Sequence, residues 1–379
     1  MSKAPVILHF VHWPVSGIIA LLRALLANSD MRRYRHYLLL CEGDAEHLKV
    51  FDGLIAEGAI LSATGNGLTI ARQLPTYLRR WQPDLVHSHS FQPSFWTALL
   101  RQQHLPHLRT IHNCYPYFKQ QSIGSRIKRA LERWALARSN TRTVAVSAEA
   151  SAWFAEVYGL PVTTLVNGVD GEAIKLAATG DNAGEALVIE KTAGQVVAVS
   201  CGRLHSQKGF DIAVSAMAGL SKRFPQLVLW IIGEGEQRAA LAAQISELGL
   251  SDKVKLLGHQ CNPYALLAQS DIYLAASRYE GFGLATLEAM TLGLPVVAAP
   301  GAVSPLKLNH TVAVCLESLT VDGLAAGVAE LVDNNERRWQ LAEQAKRFAQ
   351  GYSIEDTASA YVQHYTAMLP SQLTTSGSI

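Results

Sequence analysis

Residues 271–299 constrain the fold more than any other stretch. DIYLAA (271–276) and PVVAA (295–299) are short apolar runs of the kind that fill buried strands. Between them, residues 284–291 are strong helix formers, and Gly293 with Pro295 supplies a stop. Strand, glycine-bearing loop, helix and strand in that order predict a parallel βαβ unit. Gly281 and Gly283 let the backbone pass close to a ligand where the helix begins. The free N–H groups and positive dipole end at that point favour a phosphate. Glu280 stands in the loop, and Glu288 lies roughly 6 Å along the helix axis from Leu284 at the usual rise per residue. Two carboxylates repel a phosphate, so a functional reading gives them neutral hydroxyls: a sugar for Glu280, a ribose for Glu288. The bland reading is an acidic loop with a solvent-facing helical glutamate. The chemistry of the residues alone admits both.

The same alternation runs through the chain. VILHFV (6–11), YLLL (37–40), DLVHSHS (84–90), RTIHN (109–113) and VAVS (144–147) are strand candidates, several ending in His or Ser. QVVAVS (195–200), LVLWII (227–232) and residues 254–257 form a second series. Strands that deliver polar residues at their ends, separated by helical stretches, indicate parallel, doubly wound sheets. At 379 residues the chain fits two domains of ordinary size. Residues 166–170 (NGVD after Val166) make a turn that closes the first, and 176–190 reads as the connection. Residues 342–369 are mostly helical in pattern, with a break near Gly351. For a single histidine in the first half, the ordinary role is an imidazole bonded to backbone.

The sequence EGFGL (280–284) with Glu288 resembles the E-x7-E signature of the retaining family 4 glycosyltransferases, and Ala289-Met290 with Gly293, Pro295, Val296 and Val297 continues the pattern. Gly202-Arg203-Leu204 followed by Lys208-Gly209 is similar to that family's phosphate loop, and 83–89 to its P-D-v-v-H-x-H segment. The resemblance implies an α/β GT-B fold of two facing Rossmann-like domains. Residues 1–175 would hold the acceptor and 190–350 the nucleotide-sugar donor, with the last helix, 353–369, packing back on the first domain. It further implies a donor site made of Gly17, Arg203, Lys208, Glu280, Gly281, Phe282, Gly283, Leu284 and Glu288. Glu280, His112, Arg203 and Lys208 would be catalytic. At the loop after the first strand the family has a glycine pair, whereas this chain offers Ser16-Gly17. Arg203 as a bidentate fork and Lys208 as a point charge suit a diphosphate. Their bland alternative is two solvated cations.

Other chemistries lack their motifs. There is no D-x-D, H-E-x-x-H, G-x-S-x-G or Walker loop, and no G-x-G-x-x-G for a nicotinamide. The expectation is therefore no metal and no cofactor, only the nucleotide-diphosphate sugar as co-substrate, with fixed positive groups neutralising the leaving diphosphate. A net charge of +2 argues against a nucleic-acid partner. Five scattered cysteines without C-x-x-C favour a reducing compartment, and no apolar run reaches the roughly 20 residues of a membrane span. A cytoplasmic protein is expected, at most attached to the inner face of the plasma membrane.

The segment 119–138 stands apart. Lys119, Arg126, Lys128, Arg129, Arg133 and Arg138 face Glu132 alone, while Ile123, Ile127, Leu131 and Trp134 recur at helical spacing. Such a helix either lies on an anionic membrane or packs its stripe into the domain. The expected function is hexose transfer to a saccharide or lipid-linked saccharide acceptor in envelope polysaccharide synthesis (lipopolysaccharide, O-antigen or capsule). The alternatives are a nucleotide-sugar epimerase on the same architecture and a catalytically silent subunit of an assembly complex.

Overall fold

The computed structural model describes residues 4–12, 16–61, 67–101, 104–113, 123–139, 141–179, 189 and 191–369. The chain divides into two compact units, residues 169–353 and the remainder on either side of them.

The first unit carries seven strands: β1 (Val6–Val11), β2 (Arg35–Leu40), β3 (Glu57–Ile60), β4 (Leu85–His89), β5 (His107–Ile111), β6 (Thr141–Ala145) and β7 (Thr163–Thr164). They are ordered β3-β2-β1-β4-β5-β6-β7, and every pairing is parallel. Helices cover both faces, so β1 is buried at every position and reads as a continuous apolar run interrupted only by His9. Side chains alternate between the faces. Leu8, Phe10, Tyr37, Leu39 and Val86 meet Ile70, Leu74 and Trp81 on one of them. On the other, His87 meets Tyr365 and Thr110 meets Tyr361, both tyrosines from the helix Ile354–Met368, which belongs to this unit.

The second unit carries β8 (Val196–Cys201), β9 (Leu227–Ile232), β10 (Val254–Leu256), β11 (Ile272–Ala275), β12 (Val296–Ala298) and β13 (Val314–Cys315). Their order is β10-β9-β8-β11-β12-β13, again all parallel. Its core gathers Phe210, Met217, Leu229, Ile231 and Leu274. Both sheets are therefore doubly wound and Rossmann-like. The strand order reverses between β1 and β4 in the first and between β8 and β11 in the second, and such points are where open α/β sheets bind ligands.

Two boundaries differ from the sequence reading. The first unit ends at Gly168, not 175, because Gly171–Thr179 is a helix packed on the helices Tyr264–Ala268 and Leu284–Thr291 of the second unit. The connection expected over 176–190 thus shortens, and most of it lies outside the described residues. Near Gly351 the helical pattern breaks into Asn335–Ala349 and Ile354–Met368 as the sequence indicates.

The helix Ile123–Arg138 does not bury its apolar stripe. Ile123, Ile127, Leu131 and Trp134 are 77, 55, 51 and 50% exposed. Its opposite side is anchored by Glu132, which pairs with Arg109 at 2.7 Å in the interior and accepts from the Tyr158 hydroxyl. The packed-stripe reading fails because Glu132, Ala135 and Leu136 fill the inward face instead. Residues 119–122 of the basic segment lie outside the described residues.

Candidate active site

Two loops leave the sheet of the second unit at its switch point. Residues 202–209 follow β8, and residues 276–283 follow β11 and lead into the helix Leu284–Thr291. Gly209 must be glycine for two reasons. Its φ is +66°, and a Cβ there would overlap the Ala276 carbonyl oxygen of the other loop. Gly283 caps the helix at φ +97°, and its carbonyl accepts from the Thr286 and Leu287 N–H groups at 3.0 and 3.1 Å. The N–H groups that precede these carry the positive end of the helix.

Polar contacts lock the loops together. Gln207 Nε2 donates to the Tyr279 carbonyl at 2.9 Å, and the Arg278 N–H donates to the Gln207 carbonyl at 2.7 Å. Arg278 also holds Asp211 bidentately at 2.9 and 2.6 Å. Hydrogen bonding from Arg278 lowers the Asp211 pKa. The Lys208 ammonium meets the Glu280 carboxylate directly, and Ser277 Oγ donates to the same carboxylate at 2.6 Å. Sequence spacing cannot reveal this pair, since 72 residues separate its members.

Glu288 lies one turn into the helix and accepts from Tyr264 Oη at 3.3 Å. Burial lifts its carboxyl from 4.5 to about 7, against the smaller opposing effects of Tyr264 and Lys208. Near neutrality this group can therefore accept or donate. Tyr264 opens the helix that follows the loop after β10, and Asn262 Nδ2 in that loop donates to the Ala177 carbonyl at 2.7 Å. A recess lined by Cys201, Lys208, Tyr273, Ser277, Glu280 and Thr286 opens among these groups. Arg203 is half-buried beside Tyr279. Phe282 is buried, its ring edge-on to Tyr352 at 5.9 Å, so it anchors the loop and only its backbone can face a ligand.

His112 and Gly17 belong to the first unit. His112 follows β5, accompanies Ser90, Arg109, Trp153 and Tyr158 around a mostly apolar recess, and contacts His89 Nδ1 through Nε2 at 2.9 Å. Burial depresses its pKa to about 4, so the imidazole is neutral at physiological pH. Ser90, at the end of β4, holds a φ of +78°, a strained value for a non-glycine residue of the kind that gathers at functional sites. A Cβ at Gly17 would meet nothing within 4 Å, so the protein's own packing does not require glycine there.

Sequence reasoning passed over Ser277, Gln207, Asp211 and Arg278. Ser277 carried a faint signal, a small hydroxyl next to the last apolar residue of a strand. The others become functional candidates only through the contact between the two loops.

Residues 15–173 match the family described as Glycosyltransferase Family 4, and residues 188–348 match Glycosyl transferases group 1. The chain belongs to the family 4 glycosyltransferases. This glycosyltransferase is 28% identical over 302 residues to the glycogen synthase of Mycobacterium tuberculosis H37Rv, spanning 76% of this chain and 70% of that protein. It is 29% identical over 178 residues, 46% and 51% of the two chains, to the lipopolysaccharide core biosynthesis glycosyltransferase LpsE of Rhizobium meliloti. The crystal structure of Anabaena HepE in complex with UDP-glucose superposes with a TM-score of 0.78 at 20% identity, covering 96% of this chain and 99% of HepE. The fold is GT-B. No helix among the described residues is long and apolar enough to cross a membrane.

Proposed function

We propose that this glycosyltransferase moves a hexose from a nucleotide-diphosphate sugar to a saccharide or lipid-linked saccharide acceptor, with retention of anomeric configuration and without a metal. The observation that carries this reading is the Lys208–Glu280–Ser277 cluster beside the Leu284 helix terminus at the β8/β11 switch point. Arg203, Lys208 and the helix N–H groups hold the diphosphate. Glu280 binds sugar hydroxyls and Glu288 the ribose, while His112 orients the sugar or the acceptor.

In the reaction the acceptor hydroxyl oxygen attacks the anomeric carbon on the face the leaving group departs. The bond from that carbon to the β-phosphate oxygen breaks, and the hydroxyl proton passes to this oxygen. The products are the new glycoside and the nucleoside diphosphate. Arg203, Lys208 and the helix terminus stabilise the separating charge, which is their catalytic contribution. The likeness to LpsE supports an envelope polysaccharide as the setting, and the UDP-glucose in the HepE complex supports a nucleotide-sugar donor.

The exposed stripe of the helix Ile123–Arg138, flanked by Arg126, Lys128, Arg133 and Arg138, fits attachment to an anionic membrane at the cytoplasmic face. The test of the whole reading is a screen of nucleotide sugars for donor turnover, followed by proton NMR of the first glycoside formed. Retention is expected; an inverted linkage overturns the mechanism, and epimerised donor with no transfer overturns the function.

A further inference from the structure

The first sheet buries a run of imidazoles that the reaction above does not use. His9, His36, His87 and His89 are all in the interior, and His89 leads to His112. Their hydrogen bonds can be assigned donors from one end. The Met31 carbonyl can only accept, and it lies 2.9 Å from His36 Nε2, so that nitrogen carries the hydrogen. Burial brings the His36 pKa down to about 4, which leaves a neutral ring with a bare Nδ1. His9 Nε2, 3.0 Å away, must therefore donate to it. Burial also keeps His9 neutral, so its Nδ1 is a bare lone pair. That atom is buried and has no hydrogen-bond partner among the described residues, and the same is true of His89 Nε2.

The two orphaned nitrogens belong to rings that stack at 23° with centroids 5.8 Å apart. One ring nitrogen from each of His9, His87 and His89 lies within 4.8 Å of the others, a spacing that a divalent cation could also use. A cation would need a lone pair from His87, but both its nitrogens are engaged, Nδ1 with Tyr365 Oη at 2.6 Å and Nε2 with Thr110 Oγ1 at 2.7 Å. A hydrogen-bonded link satisfies both orphans without disturbing His87, and leaving them unmet is expensive in an interior.

We infer that His89 Nε2–H donates to a single buried water that in turn donates to His9 Nδ1, and that this chain of imidazoles from the Met31 carbonyl fixes the tautomer of His112. The consequence follows atom by atom. With its hydrogen on Nε2, His89 presents a bare Nδ1, so His112 Nε2 must donate to it. Neutral His112 then turns an accepting Nδ1 toward whatever hydroxyl it meets. His9, His36 and His89 are thus positioning residues, which act on the reaction only through His112. The functional part of this inference rests on the placement of His112 in the reaction; the tautomer pattern itself does not.

Two-bond proton–nitrogen correlation spectra of the full chain, labelled with ¹⁵N-histidine, read each tautomer directly. His36, His9, His89 and His112 are expected to carry hydrogen on Nε2. In His9→Phe, the water that links His89 to His9 loses its partner, the His112 hydrogen is expected to move to Nδ1, and kcat to fall at least tenfold at unchanged donor KM. His9→Gln, whose side chain can still donate and accept, is expected to restore both. Hydrogen on Nδ1 of His112 in the wild type, or an unchanged His112 in folded His9→Phe, overturns the relay. Should His9→Phe fail to fold, the wild-type pattern decides alone. Saturable one-to-one Co²⁺ absorption that disappears in His87→Ala also overturns it, because a cation needs His9 and His89 both bare. The expected tautomers together with full activity in His112→Ala would uphold the relay and remove only the histidine's role in transfer.

Discussion

Replacing Glu288 by Gln should stabilise the protein in a pH-dependent way while weakening nucleotide binding. The carboxyl titrates at about 7 in the folded chain against 4.5 for the ordinary group, chiefly because it is buried. That difference is a factor of about 10^2.5 in proton affinity. At roughly 1.4 kcal/mol per decade, the charged form costs the fold about 3 kcal/mol. The sign follows from the direction of the shift. The folded state holds the proton where the unfolded chain has released it, so the contribution is fully present below 4.5 and is lost as pH rises through 7. The substituted glutamine is never charged and keeps an oxygen to accept from Tyr264, so it escapes the loss. Urea titrations of wild type and Glu288→Gln, paired at each pH from 4 to 9, should show no difference at the acid end. Above pH 8 the variant should lead by about 2–3 kcal/mol, the upper figure being the full effect of the shift. Nucleoside diphosphate affinity should move the other way, since the charged carboxylate is the better acceptor for ribose hydroxyls; wild-type binding should tighten from pH 6 to 8, and the variant's should stay flat. A stability difference that does not vary with pH would refute the argument that desolvation sets this carboxyl.

Three further outcomes are expected. Arg203→Ala should lose about 1.5–3 kcal/mol of nucleoside diphosphate affinity by calorimetry, the range for a hydrogen bond to a charged group; unchanged affinity would remove Arg203 from the diphosphate. Glu132→Ala leaves the Arg109 guanidinium buried without its partner, and denaturation should register a loss of about 3–5 kcal/mol, whereas a loss under about 1 kcal/mol would mean that water reaches Arg109. The protein should co-sediment with anionic but not neutral liposomes at low salt, each surface cation contributing about 1 kcal/mol. Ile127→Ser with Trp134→Ser should release it, and equal recovery on both vesicle types would rule out the membrane role.

Much of the fold was legible in the chain because its signals are local. Short β-branched runs such as QVVAVS and LVLWII can be read as buried parallel strands, and the helix Leu284–Thr291 has the limits that its helix formers and the Gly293 stop dictate. Glycine at 209 and 283 likewise accommodates a left-handed backbone, φ +66° and +97°, because backbone permissiveness belongs to the residue type. The motifs that mark a glycosyltransferase are of this kind, contiguous and readable in order.

What the tertiary structure alone decided depends on contacts between distant residues. The Lys208–Glu280 pair, the Arg278–Asp211 clamp and the Gln207–Tyr279 bond exist only because β8 and β11 are neighbours at a point where the strand order reverses. The basic helix showed an amphipathic pattern, but which side faces water was settled by Glu132, whose charge makes it look exposed until Arg109 is found beside it. The buried histidines are the sharpest case. As single residues in strands they are unremarked core imidazoles, and only parallel register, which sets His9 against His87 and brings His89 to His112, makes them neighbours, with hydrogen bonds from His9 to His36 and between His89 and His112. Local propensity is a property of neighbours along the chain, whereas charge pairing, desolvation and tautomer choice are properties of neighbours in space.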